Sequence, residues 1–324
     1  MLAASTLLIA ALALPGLAAD GVIRGTVVNT STGKRLPCMT EVVLRVRSDG
    51  QFVPCRDMVS DADGRFQFDH LPAGSGLVYQ VGANRHGVHY PGPRVPLTAE
   101  RPAAMVELSV CDAVAGPNPL VIRRMEIDIT PEPGVLRVTE SLVVDNPSST
   151  CFVGESSSPS AEPVTLRLNI PSDFERTTFD EEFLGRRFAI QDGGLVTGIP
   201  WPPGRREVKY TYTLKNAETF RCWDRPLDLP CHEVQLRVHA SNPKEVSCNL
   251  PGRPEVSEGQ IVFRSDAEVL PAGHRLRVEL GHLPLPWITY AKWLALVLLA
   301  GLMLAATAIM LRRRRRPTYS SRSK

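Results

Sequence analysis

The stretch from Val59 to Gly74, VSDADGRFQFDHLPAG, sets acidic side chains around a glycine, as a calcium loop does. A calcium-binding EF-hand loop needs oxygen ligands at its first, third, fifth and twelfth positions and glycine at the sixth. With Gly64 sixth, Asp61 and Asp63 fall third and fifth, but Val59 is first and His70 twelfth, so both ends of the ligand set fail. The same residues suit a hairpin. Asp63-Gly64 favours a tight turn with positive φ, and Arg65 and Gln67 alternate with Phe66 and Phe68 as a strand does.

Other reactive patterns are also incomplete. His232-Glu233 is followed by Gln235 and Leu236, without the histidine four residues on that a zinc-peptidase helix requires. The same place ends in DLPCH, with Asp228 where a haem-attachment motif needs its first cysteine. GESSS at 154–158 lacks the second glycine of a nucleophile elbow, and the seven histidines are scattered. No catalytic residue, metal set or cofactor site is assigned.

One carboxylate stands out. In LRVTESLVV, Glu140 shares its strand face with Leu136, Val138, Leu142 and Val144, the face that should be buried. A carboxylate there needs a partner such as Arg or Tyr. One acid is not a catalytic pair, so the expectation is a structural ion pair or a hydrogen-bonded cap rather than a general acid.

Seven cysteines, at 38, 55, 111, 151, 222, 231 and 248, all precede the apolar C-terminal run. On the exported side of a membrane they favour disulfides over thiols. The most local pair is Cys222 with Cys231, in the proline-stiffened CWDRPLDLPC, and Cys38 with Cys55 is a second expectation. The odd count leaves one unpaired. A C-x-x-C redox spacing is absent.

The elements that carry these residues are strands. Val164, Leu166, Leu168 and Ile170 interleave with polar neighbours, as do Val208, Tyr210, Tyr212 and Leu214, which is the pattern of half-buried antiparallel strands. With 28 prolines and frequent glycine turns, the chain reads as all-β, built of two β-sandwich domains. Turn-formers at 111–119 break the alternation and set the first domain at 20–115 and the second at 117–283. The Ser-rich stretch 146–163 reads as a long loop within the second.

Both ends are apolar. Residues 1–19 read as an export signal, with Pro15 ahead of small residues and a cut after Ala18 or Ala19, although no Lys or Arg precedes them. A short N-terminal helix anchor is the alternative. Residues 293–311 are an uninterrupted apolar run of about 19 residues, or about 28 Å as a helix, and the expected transmembrane segment is 287–311. Arg312, Arg313, Arg314, Arg315 and Arg316 follow, opening a basic tail at 312–324, while Trp287, Tyr290 and Trp293 form an aromatic belt before it. Positive charge stays inside, so the tail is expected in the cytoplasm and the body outside it, periplasmic or extracellular. The partners this implies are the lipid bilayer and a protein outside the cytoplasm. A net charge of only +3 gives no reason to expect nucleic acid.

GVIRGTVVNTSTGKRLP at 21–37, the DADG turn, YQVGA at 79–83 and GVHYP at 87–91 together resemble a carboxypeptidase regulatory-like domain. The resemblance covers most of 21–112. It implies a prealbumin-like sandwich of seven strands, grouped with carbohydrate-binding-like folds, and no activity. The whole layout also resembles uncharacterised bacterial envelope proteins carrying such a domain. Cys38 and Cys55 depart from the family pattern. The expected function is a non-enzymatic, membrane-anchored protein presenting two sandwiches for protein interaction or envelope assembly. The alternative is an anchored carbohydrate-binding module, for which Tyr90 and Trp223 are the candidate sugar-stacking rings, Tyr79 being expected in the core and Trp201 to pack a turn.

Overall fold

A computed structural model describes residues 19–156, 162–179, 188–191, 193–216, 218–240, 242–265 and 268–314. Residues 1–18 of the expected export signal, Arg315 and Arg316, and 157–161 of the Ser-rich stretch lie outside the described residues. The described chain is mostly β, with one long C-terminal helix, and it divides into two compact units.

The first unit comprises Met1–Pro119 together with Pro147–Pro163 and Pro200–Pro203. Its two four-stranded sheets share one core. In one sheet Ala19–Asn29 lies between Arg65–Ala73 and the parallel strand Ala103–Val110, with the short Leu36–Pro37 at the side. The other runs Gln51–Val59, Glu41–Ser48, Val78–Arg85, Val88–Pro96 in spatial order. Alternate residues from both, such as Ile23, Val27, Phe66 and Phe68 against Val42, Leu44, Tyr79 and Val81, fill a single apolar cluster. Burial of this surface, at about 25 cal/mol per Å², is the main force holding the layers together.

The Asp63-Gly64 turn forms, but it is not a hairpin. Gln51–Val59 pairs within one sheet and Arg65–Ala73 within the other, so the turn carries the chain between layers. Phe66 and Phe68 enter the core from their own sheet, whereas Gln51–Val59 is an outer strand with almost every residue exposed. Gly64 adopts φ 71°, and its carbonyl accepts from the Val27 amide at 2.7 Å. The Asp61 carboxylate accepts from the Arg65 amide at 2.6 Å, closing the turn without an ion.

The Ser-rich stretch also departs from expectation. Pro147–Pro163 groups with the first unit rather than the second. Cys151–Phe152 pairs in parallel with Ala113–Val114, and Phe152 exchanges both backbone hydrogen bonds with Trp201, at 2.9 and 2.8 Å. Backbone groups satisfied in this way hold the insertion to the first unit's core.

The second unit is built on a seven-stranded mixed sheet. Its spatial order is Phe174–Phe179, Gly204–Lys215, Val135–Asn146, Val121–Glu132, Val234–His239, Gln260–Ser265, Glu255–Ser257. Two three-stranded sheets accompany it, one being Arg221–Pro226, Arg275–Leu280, Val246–Cys248. The alternation read from sequence is the burial pattern found, with Val208, Tyr210, Tyr212 and Leu214 all in the core.

The C-terminal helix Trp287–Arg314 has 28 residues. Its stretch Tyr290–Leu311, with mean hydropathy 2.6 and none of it buried, is long and apolar enough to cross a membrane. At 1.5 Å per residue it spans about 33 Å, close to a hydrocarbon core. The hydroxyl of Thr307 donates back to the Met303 and Leu304 carbonyls at 3.0 and 2.8 Å, so it makes no demand on solvent. The connection to the sheets is short and tied. The Leu283 amide donates to the Thr219 carbonyl at 2.9 Å, and the Gly134 amide to the Pro284 carbonyl at 3.3 Å.

Candidate functional site

Glu140 is the centre of a buried polar constellation in the second unit. The Val135–Asn146 strand alternates strictly, and Leu136, Val138, Glu140, Leu142 and Val144 all lie wholly in the core. The register sets Glu140 opposite Tyr210 on one neighbouring strand and Ile127 on the other. Its two carboxyl oxygens then accept from two tyrosines of the same strand: Tyr210 Oη donates to Oε2 at 2.6 Å, and Tyr212 Oη to Oε1 at 2.8 Å.

The third donor comes from the overlying three-stranded sheet. Trp223 and Arg225 alternate along Arg221–Pro226, and both point inward. Arg225 Nη1 donates to Glu140 Oε2 and, at 2.8 Å, to the Tyr210 hydroxyl, while Nη2 donates to Asp228 Oδ2. Trp223 Nε1 donates to the Tyr212 hydroxyl at 2.9 Å. Asp228 Oδ1 in turn accepts from the backbone amide and the side-chain amide of Asn169, both at 2.7 Å. Each charged group thus has an oppositely charged partner and further hydrogen bonds, the condition for tolerating charge in a core.

Burial and neighbouring charges act together on the two tyrosines, Arg225 and Asp228. Burial raises both tyrosines well above their ordinary range, and the Glu140 charge adds to this while Arg225 opposes it. For Arg225 burial acts downward, but the negative charges of Glu140 and Asp228 outweigh it and hold the guanidinium protonated. Burial pushes Asp228 up to about 6, against the pull of Arg225 and the Asn169 amides.

This arrangement locks two layers together. Glu140, Arg225, Tyr210 and Tyr212 are all buried, and their hydrogen-bonding capacity is directed at one another. The expected partner for Glu140 is therefore both of the types named, Arg and Tyr. Sequence reasoning missed Arg225, Asp228 and Asn169. The signal was available for Arg225, two residues after Trp223 in a short alternating run, but the flanking cysteines drew the reading toward a disulfide loop.

The structure joins neither of the expected cysteine pairs. Among the described residues, which include all seven cysteines, no two are joined. Cys222 sits on a strand opposite Glu279, whereas Cys231 is buried in bridges to Ile122 and Leu270 and its thiol donates to the Glu233 carbonyl at 3.2 Å. Residues between them supply the buried network instead of a loop. Cys38 follows Leu36–Pro37 in one sheet of the first unit, while Cys55 is the extra, unpaired residue of a bulge in the other. Cys55 is exposed, with its thiol directed at the Leu44 carbonyl.

The candidate sugar-stacking rings are also placed otherwise. Tyr90 is only 7% exposed, and its hydroxyl donates to the Cys111 carbonyl at 2.9 Å. Trp223 is 1% exposed, within the network above. Neither offers a ring face to a ligand. Tyr79 is in the core as expected, and Trp201, expected to pack a turn, is fully buried. Of the aromatic belt, Tyr290 and Trp293 lie exposed on the first turns of the helix.

An open polar trough lies on the outer face of the seven-stranded sheet, lined by Glu126, Asp128, Thr139, Ser141, Lys209 and Arg237. Its charges pair within the sheet: Asp128 takes Arg237 Nη1 and His239 Nε2, each at 3.1 Å. Among the described residues no cluster of His, Cys, Asp and Glu has the arrangement of a metal site.

No protein-family model matches the chain, and no curated protein matches it. Solved structures with partial similarity include the M1 zinc metallopeptidase of Deinococcus radiodurans, at 12% identity and TM-score 0.28, covering 51% of this chain and 43% of that one. A mutant of that enzyme bound to a Tyr-Ser-Ala substrate matches at 14% identity over the same shares, again with TM-score 0.28. The chain thus spans less than half the length of those enzymes, and a likeness of that size carries no argument about activity.

Proposed function

We propose that this chain is a non-enzymatic, single-pass membrane protein whose two β units stand outside the cytoplasm and offer their loops to a protein partner. The observation that carries the reading is the wholly exposed apolar helix Tyr290–Leu311 at the end of an otherwise β body. A surface of that kind is unstable in water and stable in lipid. The arginine run that follows Leu311 supports a cytoplasmic tail, and Tyr290 and Trp293 support an interface on the other side. The closed hydrogen-bonding of the Glu140 network supports a mechanical rather than a chemical role for the most unusual residues in the chain. The two sheets of the first unit support a sandwich, though with four strands each rather than the seven in all that the carboxypeptidase regulatory-like resemblance implies, and that resemblance brings no catalytic apparatus with it.

The test is twofold. Protease added to right-side-out vesicles should degrade the β body and spare the tail, whereas protection of the body would overturn the orientation. Crosslinking of the intact protein in membranes, followed by peptide mapping, should place the crosslinks on loops of the β units. Hydrolysis of peptide or glycan by the purified protein, lost on a single substitution, would overturn the non-enzymatic part.

A further inference from the structure

We propose that Cys111 and Cys151 form a disulfide that staples the inserted segment to the core of the first unit. The two are brought together from distant parts of the sequence. Both belong to the same apolar core cluster, at 6% and 0% exposure. The Cys151 amide donates to the Asp112 carbonyl at 2.9 Å, and Cys151 pairs in parallel with Ala113. In that register Cys111 is two positions ahead of the residue paired with Cys151. The chain leaves strand pairing at Cys111 and Asp112, between Ala103–Val110 and Ala113–Val114, and the Cys111 thiol lies 3.7 Å from the Thr30 hydroxyl, a contact that the sulfur–sulfur bond would replace.

Tyr90 marks the same spot from the other sheet. Its hydroxyl donates to the Cys111 carbonyl at 2.9 Å and lies against the thiols of both cysteines. Cys38, the third cysteine packed near this cluster, has Arg85 and Asp112 among its charged neighbours. Cys55, Cys222, Cys231 and Cys248 are outside the cluster.

The bond forms by thiol–disulfide exchange as the chain folds. Each thiol gives up its hydrogen, a sulfur–sulfur bond forms, and two electrons and two protons reduce the disulfide of an oxidant protein or of oxidised glutathione to two thiols. Oxidation in the cell rests on the extracytoplasmic placement proposed above, whereas the choice of partners rests on the fold alone.

The experiment uses the full chain in detergent, unfolded and refolded in a glutathione redox buffer, alkylated, and digested without reduction for mass spectrometry. The expected product is the Cys111 peptide joined to the Cys151 peptide and lighter by two hydrogens than their sum, with Cys55 alkylated. Cys38→Ser should leave that product unchanged. Recovery of both peptides alkylated, or of Cys111 joined to Cys38, would overturn the pairing. Protein drawn directly from membranes is mapped in parallel. If it carries thiols where the refolded protein carries the bond, the placement fails and the pairing stands.

Discussion

Arg225 and Glu140 form an ion pair between two layers of the second unit, with both side chains fully shielded from solvent. Such a pair contributes little over a well-packed apolar substitute, but breaking it from one side leaves a stranded charge. Arg225→Ala should therefore cost about 3–5 kcal/mol. The double variant Glu140→Leu, Arg225→Met should recover part of that loss, and urea unfolding of the two singles and the double measures the coupling. Strictly additive losses would show that the two do not interact.

Asp228 gives the second unit a defined acid response. Its carboxyl is pushed up to about 6, so the folded chain holds this proton more tightly than the unfolded one. From about pH 4 to about pH 6 the native state carries the extra proton, and the contribution of this group to stability falls as pH rises through that window. Asp228→Asn fixes a neutral side chain and should remove that fall. Urea midpoints across the window, compared between the two proteins, check the sign.

Tyr212 serves two partners, accepting from Trp223 Nε1 and donating to Glu140. Tyr212→Phe strands an indole N–H and frees one carboxyl oxygen, at a cost of about 1–3 kcal/mol for each buried group left unsatisfied. Trp223 fluorescence should report the altered surroundings in the native state. An unchanged spectrum together with unchanged stability would remove Tyr212 from the network.

In the first unit, Gly64 and Gly76 separate backbone strain from steric exclusion. Both have positive φ, 71° and 86°. A β-carbon at Gly64 would lie 2.3 Å from the Val27 carbonyl oxygen, whereas at Gly76 it would meet nothing within 4 Å. Gly76→Ala should cost about 1 kcal/mol and Gly64→Ala distinctly more, because the strand Ala19–Asn29 must move as well. Hydrogen exchange at the Val27 amide, which donates to Gly64, should accelerate only in the second case.

Removal of the helix provides the last check. A chain ending after Pro286 should leave the membrane fraction, and the full chain should resist alkaline carbonate extraction. Release of the full chain by carbonate would exclude a span.

Much of this structure was legible in period-two alternation. Val208, Tyr210, Tyr212 and Leu214 share a face because successive side chains of a strand must oppose one another, and Glu140 betrayed itself by standing on such a face. The pairing itself was not legible. Glu140 meets Tyr210 across seventy positions of sequence through sheet register, and Arg225 arrives from another layer. Local pattern says which side is buried but not what lies opposite. For the same reason the Asp63-Gly64 turn could be placed, while the sheet that receives the next strand could not. The cysteines misled because closeness in sequence stood in for closeness in space.

The tie between Leu283 and Thr219, four residues before the helix begins, fixes the reach of the second unit. Four extended residues cover about 14 Å at most. Where the helix lies in a bilayer, that unit is kept on a short leash above the head groups. Any partner it has would then be met by lateral diffusion in two dimensions, and only within reach of the lipid surface.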